Sequence, residues 1–248
     1  MSEYIGSDHV PVYAILSHTW GPDCEEVSFQ DIEAGSGQNK SGYDKILFCA
    51  RRAAADGLRY FWIDTCCIDK RNQVELSEAI TSMFRYYQRA AVCYAYLSDV
   101  SATHDYGEGE QRSRFHWEPA FRRSRWFTRG WTLQELIAPM RVDFFAREGE
   151  RLGDKSSLET IIYEVTGVAK RALKGYPLSD FSVEERMSWA VQRSTKREED
   201  EIYSLLGIFD ISMPVIYGEG RDKASKRLQR EIVEALKRTC FWFLSLCL

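Results

Sequence analysis

The chain has 248 residues, of which 44% are hydrophobic and 28% are charged. This composition is typical of a folded globular protein, and it excludes a disordered chain, a coiled coil and a collagen-like repeat. The formal net charge of −4 provides no basic excess that could displace counterions from a nucleic-acid backbone, so no nucleic-acid partner is expected.

The cysteines and the short apolar runs indicate in which cellular compartment the protein is expected. The seven cysteines are odd in number and contain no CxxC pair, and no signal peptide opens the sequence. We therefore expect reduced thiols in a cytoplasmic protein. No apolar run approaches the ~20 residues of a membrane-spanning helix, so no membrane span is predicted. The four histidines are scattered, which predicts no metal site.

The first half of the chain alternates between β-prone runs and helical patterns. Short apolar runs that end on polar residues predict three strands, at 12–16, 59–64 and 91–97. Helices are predicted at 44–56 and 75–89, the second with Asn72 as its cap and Glu75 three residues later. This alternation predicts a parallel sheet with right-handed crossovers.

The pattern changes after the third strand. Polar residues predict a surface loop at 101–118, a helix follows from Trp126 to Ala138, where Pro139 ends it, and a fourth strand is predicted at 141–146. The parallel sheet should therefore contain four or five strands.

The segment from about residue 151 to 238 is mostly helical in pattern. Ser182 with Glu185, and Thr195 with Glu198, have the spacing of capping boxes and predict two helix starts. A last amphipathic helix is predicted at 222–238. No flexible linker is present, so we expect one domain over 1–248: an α/β core at about 11–150, the helical elaboration and an apolar tail at 239–248.

Polar residues follow the predicted strands. Ser17, His18 and Trp20 follow the first strand, and Asp64 follows the second. Ligands of open parallel sheets bind beyond the carboxyl ends of the strands, so these residues are candidates for a binding site. Solvated loop residues would give the same pattern, and both interpretations remain open at this point.

The segment 124–136 is the most informative stretch for chemistry. On a helix, Trp131 lies one turn before Glu135, which places an indole ring beside a carboxylate. That pair suits a cationic aromatic ring joined to a sugar, because the ring can stack and the carboxylate offsets positive charge. The alternative is an amphipathic helix that packs through Leu133, Leu136 and Ile137, with Glu135 paired to Arg129 or Arg125.

Other candidate sites have structural explanations. Cys66 and Cys67 with His18 could form a nucleophile and its base, but adjacent cysteines at a strand end are more often core residues. Glu75 is explained as part of a helix cap. The segment 217–220 lacks the lysine and spacing of a phosphate-binding loop, so it predicts a turn.

Five ordered segments carry a family resemblance. They are YAILSHTWG at 13–21, WIDTCCID at 62–69, RGWTLQE at 129–135, REEDEIYSLLG at 197–207 and YGEG at 217–220. Together they resemble the fungal heterokaryon-incompatibility (HET) domain over about 11–236. The resemblance implies a fungal protein of innate immunity that triggers programmed cell death after non-self recognition. HET domains often form the effector end of a longer chain with a NACHT/STAND-type module.

The front half also looks like a Toll/interleukin-1 receptor (TIR) domain, which has a flavodoxin-like parallel sheet. The ILSH turn at 15–18, the later strands in order and the Trp131-to-Glu135 spacing carry this resemblance. Thr132 stands where TIR motifs have Cys, and the 98–123 insert is longer than TIR domains have. The resemblance implies a homo-oligomer that assembles through the TIR-like core. It also implies that NAD is the substrate and that no cofactor is needed.

Residue roles follow from the TIR resemblance. Glu135 would be catalytic, holding the ribose hydroxyls and stabilising positive charge as the nicotinamide–ribose bond breaks. The substrate-binding candidates are Trp131 or Trp20 against the ring, Arg125, Arg129 and His18 for the phosphates, and Ser17 and Asp64 lining the pocket. The alternative function is a non-enzymatic signalling module that acts by self-association and partner recruitment.

Overall fold

A computed structural model describes residues 10–103 and 116–245, with side chains described up to residue 238. Its centre is one five-stranded sheet in the order β2-β1-β3-β4-β5. The strands are β1 Tyr13–His18, β2 Tyr60–Trp62, β3 Val92–Leu97, β4 Val142–Ala146 and β5 Arg151–Asp154. The fold is therefore mixed α/β.

The pairing of β1 to β4 is parallel, as the sequence predicted. Ile15 of β1 lies opposite Trp62 on one side and Cys93 on the other, and Cys93 lies opposite Val142. All six residues of β1 except Tyr13 are buried, which explains its continuous apolar pattern.

The fifth strand is antiparallel, which corrects the prediction of a purely parallel sheet. β5 pairs with β4 after a connection of only four residues, 147–150, that turns at Gly149 with φ +85°. A connection this short can join only antiparallel neighbours, because a parallel partner needs a crossover of a dozen or more residues.

Helices cover both faces of the sheet. They are α1 Phe29–Glu33, α2 Tyr43–Ala55, α3 Gln73–Arg89, α4 Glu118–Arg122, α5 Thr132–Ile137, α6 Glu159–Thr166, α7 Lys170–Leu173, α8 Val183–Ser188, α9 Asp200–Tyr203, α10 Leu206–Phe209 and α11 Arg221–Ser245. Short 3-10 turns lie at Arg125–Thr128 and Leu178–Asp180. None of the described helices combines the length and apolarity needed to cross a membrane.

One apolar core joins the front of the chain to its helical second half. Ile80 of α3, Leu133 of α5 and Leu206 of α10 belong to the same buried cluster. At the contact of α10 with α3, a Cβ added to Gly207 would collide with the Phe84 side chain. Glycine is therefore required there because two helices approach each other closely. A smaller core between α2 and the opposite face of the sheet contains Cys49.

The helix predicted from Trp126 to Ala138 is broken, which corrects that prediction. A 3-10 turn ends at Thr128, and Gly130 N–H then donates to Ser194 O at 2.9 Å instead of continuing a helix. The helix resumes as α5, all six residues of which are buried. The alternative of an amphipathic helix that packs through one face does not describe α5, because the face that carries Glu135 is buried too.

The helix caps follow the predictions in two cases of three. The Asn72 side chain accepts from the N–H groups of Val74 and Glu75, while the Glu75 carboxylate accepts from Asp69 N–H. Ser182 accepts from the N–H of Glu185 and caps α8.

The prediction that Thr195 caps a helix is wrong. The Thr195 hydroxyl donates to the carbonyl of Arg197, and α9 begins only at Asp200.

The predicted loop at 101–118 and the predicted tail at 239–248 lie partly outside the residues that the structure describes. Residues 104–115 and 246–248 lie outside the described residues. At the ends of the predicted loop, Ala102 and Trp117 are buried in the core, so these ends are not solvent-facing as a surface loop would be. The last helix extends to Ser245, beyond the predicted end at 238.

Candidate active site

A cleft of about 80 Å³ opens beyond the carboxyl ends of β1 and β2. Its apolar wall comes from α3 and the residues before it, through Ile68, Leu76, Ile80 and Met83. The polar wall consists of His18, Trp20, Asp64, Lys70, Arg129, Trp131, Thr132, Glu135, Asp200 and Tyr217. The cleft thus lies at the sheet edge where the sequence placed a site.

Glu135 of α5 reaches this cleft from the core and is only 7% exposed. The hydroxyl of Ser17, at the end of β1, donates to Glu135 Oε2 at 2.5 Å. Trp126 Nε1 donates in turn to Ser17 Oγ at 2.7 Å. These two hydrogen bonds fix the carboxyl group between the sheet and the 3-10 turn, in one orientation toward the cleft.

The pKa of Glu135 is raised to about 8, mainly by burial and secondarily by the negative charge of Asp64. Hydrogen bonds from Ser17 and Tyr87 and the positive charge of Arg129 act in the opposite direction. The carboxyl group is consequently mostly protonated at neutral pH in the free protein. A cation placed next to it would favour the ionised form.

His18 lies buried in the cleft wall between two carboxylates. Its Nδ1 is 3.9 Å from Asp64 Oδ1 and its Nε2 is 3.8 Å from Glu26 Oε2. Neither ring nitrogen has a hydrogen-bond partner among the described residues. Two flanking carboxylates repel phosphate, so this position does not suit the phosphate-binding role given to His18 by the sequence.

Trp20 is held on two sides at the cleft. Its Nε1 donates to Asp64 Oδ2 at 2.9 Å, and the Lys70 ammonium lies 3.9 Å from the centre of its ring. Lys70 is a cation of the cleft that sequence reasoning missed, because it follows the predicted strand by six residues and belongs to no motif.

The C-terminal half supplies the opposite wall. Tyr217 OH donates to Asp200 Oδ1 at 2.8 Å, and the Arg197 guanidinium lies 4.1 Å from the centre of the Tyr217 ring. Burial raises the pKa of Asp200, and hydrogen bonds from Tyr217 and Trp131 oppose this. Glu199 accepts from Gly218 N–H at 2.7 Å, which fixes the turn that carries Tyr217.

Two comparisons with known proteins connect this chain to a family. The family model described as "Heterokaryon incompatibility protein (HET)" matches residues 13–118. The chain is also 58% identical over 226 residues to "Vegetative incompatibility protein HET-E-1" of Podospora anserina. Both findings support a HET protein. The alignment covers 91% of this chain and 16% of HET-E-1, and no solved structure matches.

No solved structure therefore supports the TIR-like interpretation of the first half of the chain. The structure establishes a mixed α/β fold with a mostly parallel sheet. The flavodoxin-like assignment stays an interpretation.

Most of the predicted site residues lie together. His18, Trp20, Asp64, Arg129, Trp131 and Glu135 line the cleft, and Ser17 lies directly beneath Glu135. Arg125 is the exception and corrects the prediction: its side chain is 70% exposed, pairs with Asp99 at 3.6 Å and does not line the cleft.

Sequence reasoning treated the segments at 197–207 and 217–220 as a helix and a turn only. Both contribute to the cleft, through Asp200 and Tyr217. Their presence among the five family segments was the one signal that could have found them.

The cysteine alternative loses support from the geometry. Cys66 is buried in the smaller core, and neither Cys66 nor Cys67 lines the cleft. The hydrogen bond with Cys67 and burial both raise the pKa of the Cys66 thiol, which disfavours the nucleophilic thiolate. Within the described ranges, no group of three or more His, Cys, Asp or Glu side chains is arranged to hold a metal ion.

Proposed function

We propose that this chain is a HET-type effector of programmed cell death that hydrolyses the nicotinamide–ribose bond of NAD. The observation that supports this most is the buried Glu135, oriented by Ser17 and Trp126 at the base of a cleft with aromatic walls. A water-excluded carboxylate is the group that an oxocarbenium-like transition state needs.

The reaction replaces the bond from ribose C1′ to nitrogen by a bond from C1′ to oxygen, and one O–H bond of the water breaks. The bond between ribose C1′ and the ring nitrogen breaks, and its electron pair stays on that nitrogen, so nicotinamide leaves as a neutral molecule. Water then bonds to C1′ and releases a proton, which gives ADP-ribose. Because the leaving group starts as a cation, it needs no general acid.

Glu135 acts on the ribose in this proposal. The positive nicotinamide ring lowers the pKa of the carboxyl group on binding, so the proton that Glu135 carries in the free protein is lost. The resulting carboxylate then offsets the positive charge that develops on the ribose. Ser17 acts as a positioning residue, because its hydroxyl holds the carboxylate.

The other cleft residues contact different parts of the substrate in this proposal. Trp131 and Trp20 flank the ring, and Asp64 lines the pocket beside Trp20. Arg129 and Lys70 are the cations available for the phosphates, replacing the outward-facing Arg125. A cleft of about 80 Å³ is smaller than the ~300–1,000 Å³ of drug-sized sites, so only the nicotinamide end enters and the remainder extends across the mouth.

The direct test is release of nicotinamide from NAD by the purified protein, measured in dilute and in concentrated samples and in a version fused to an oligomerising partner. Release by the wild type and its loss in Glu135→Gln would support the proposal. Absence of release in every state, by protein whose folding is verified, would overturn it.

A second candidate is a non-enzymatic signalling module that acts by self-association. The narrowness of the cleft favours it, because a dinucleotide does not fit inside as the protein stands. In either case we propose a homo-oligomer through the α/β core and a NACHT/STAND-type module as partner, which fits the much greater length of HET-E-1. The free cysteines at 24, 49, 66, 67 and 93 support a cytoplasmic location.

A further inference from the structure

A second cavity, of about 140 Å³, shares no lining residue with the cleft. It lies between the end of α4, the 3-10 turn at Arg125–Thr128, the end of α6 and the segment 189–193. Three arginines line it, together with three apolar side chains: Arg122, Arg123 and Arg193, with Phe127, Val165 and Trp189. The combination suits a ligand with one anionic and one apolar part.

Arg193 is the group with unmet hydrogen-bonding capacity. Its Nη1 donates to Arg129 O and to Thr132 Oγ1, both at 2.8 Å, and its Nε donates to Trp189 O at 3.3 Å. Its Nη2 is buried and has no hydrogen-bond partner among the described residues. A buried charged donor without an acceptor is destabilising, and an anion in the cavity would supply the acceptor.

The positive charge of the cavity comes mainly from two of the three arginines. Arg122 is paired with Glu118 and with Glu164, each at 2.8 Å, so these two carboxylates more than offset its single positive charge. Arg123 is exposed and Arg193 has its free Nη2. Guanidinium groups hold phosphate well because their N–H pairs match two of its oxygens.

The hydroxyl groups of the cavity do not contribute further donors. Ser124 donates to Asp99 at 2.7 Å, Thr128 donates to Arg125 O at 3.0 Å, and Thr166 donates to Ile162 O at 2.7 Å. The arginines are therefore the charged donors that the cavity offers to an anion, beside the neutral amide of Gln192, and the affinity should depend mainly on the arginines.

We propose that this cavity binds a small phosphate monoester, with the phosphate between Arg123 and Arg193 and the organic group against Phe127, Val165 and Trp189. The site is linked to the cleft, because Arg193 also holds Arg129 and Thr132, which both line the cleft. The binding itself is independent of whether the cleft cleaves NAD.

Isothermal titration calorimetry with inorganic phosphate and with phenyl phosphate tests this site. Ionic strength is kept constant with chloride, and folding of each variant is verified by its melting temperature. We expect both probes to bind, phenyl phosphate more tightly. Arg123→Gln should weaken both about 10- to 100-fold, as expected for loss of a charge-assisted hydrogen bond.

Two variants serve as matched controls. Arg125→Gln removes a neighbouring exposed arginine that pairs with Asp99, and Lys70→Gln removes a cation of the cleft. Both should keep wild-type affinity for the two probes. No binding to folded wild type, equal weakening in Arg123→Gln and Arg125→Gln, or loss in Lys70→Gln would each overturn the proposed site. Equal affinity for the two probes would overturn the place assigned to the organic group.

Discussion

Replacing Glu135 by Gln separates the proposed chemistry from a purely structural role. The change keeps size and most hydrogen-bonding capacity, and it removes the charge. If the carboxylate stabilises an oxocarbenium-like transition state, kcat should fall roughly 100- to 1000-fold, the equivalent of about 3–4 kcal/mol, with little change in KM. Nicotinamide release at saturating NAD measures this.

The same substitution should raise stability at high pH. The pKa of Glu135 is about 8 in the folded protein, against 4.5 ordinarily, so the folded state retains a proton that the unfolded state releases. Rising pH therefore favours unfolding, and the wild type should lose roughly 4 kcal/mol of unfolding free energy between pH 5 and pH 9 through this group. Glu135→Gln lacks this loss, which urea unfolding at the two pH values measures.

Glu75→Gln is the matched control. The Glu75 carboxylate accepts from Asp69 N–H at the start of α3 and does not line the cleft. Its replacement should cost about 1 kcal/mol of stability and leave turnover unchanged. A folded Glu135→Gln with full turnover, together with a folded but inactive Glu75→Gln, would show that the site is assigned to the wrong carboxylate.

Further predictions concern the same elements. The kcat/KM of the wild type should rise with pH through about 8, because the free protein must lose the Glu135 proton, and a flat pH profile would contradict this. Lys155→Met should lower the unfolding free energy by about 1–3 kcal/mol in urea titrations, since the buried Lys155 ammonium donates to Leu136 O and Pro139 O at the end of α5. Gly207→Ala should lower it by a similar ~1–3 kcal/mol, because the new methyl group meets Phe84, and an unchanged midpoint would refute the close helix contact. Specific activity should fall on dilution below the dissociation constant if neighbouring protomers complete the site, and constant specific activity would argue against assembly.

The sequence pattern predicted the strands and helices whose own residues determine where they begin and end. β3 is observed at Val92–Leu97 against a predicted 91–97, and α3 at Gln73–Arg89 against 75–89. Both have a continuous apolar signal and a clear boundary, such as the Asn72 cap. The short antiparallel β5 has only four residues, of which two are buried, so its pattern was too weak to find.

The break before α5 depends on a contact that is distant in sequence. Gly130 donates to Ser194, and a Cβ at Gly130 would collide with Thr195. The segment from Trp126 to Ala138 has a helical pattern throughout, and only the approach of the C-terminal half makes the chain leave the helix. Periodicity alone therefore predicted one continuous helix.

The candidate site has the same dependence on distant contacts. Ser17 and Glu135 are separated by 118 positions and Tyr217 and Asp200 by 17, and each pair meets at the cleft. Residue types at strand ends identified Ser17, and the TIR-like spacing identified Glu135, but neither showed that the carboxyl group would be buried. That burial raises its pKa and makes its ionisation depend on a bound cation.

The helical second half is accordingly part of the candidate site as well as of the fold. α10 packs against α3 in the larger core, and Asp200 and Tyr217 close one wall of the cleft. Removing residues 151–238 would expose the apolar side of α3 and α5 to water and would open the cleft around Glu135. The segment 11–150 therefore lacks, on its own, strand β5 of the sheet as well as the packing and the cleft wall that the proposed chemistry requires, even though the family model ends at residue 118.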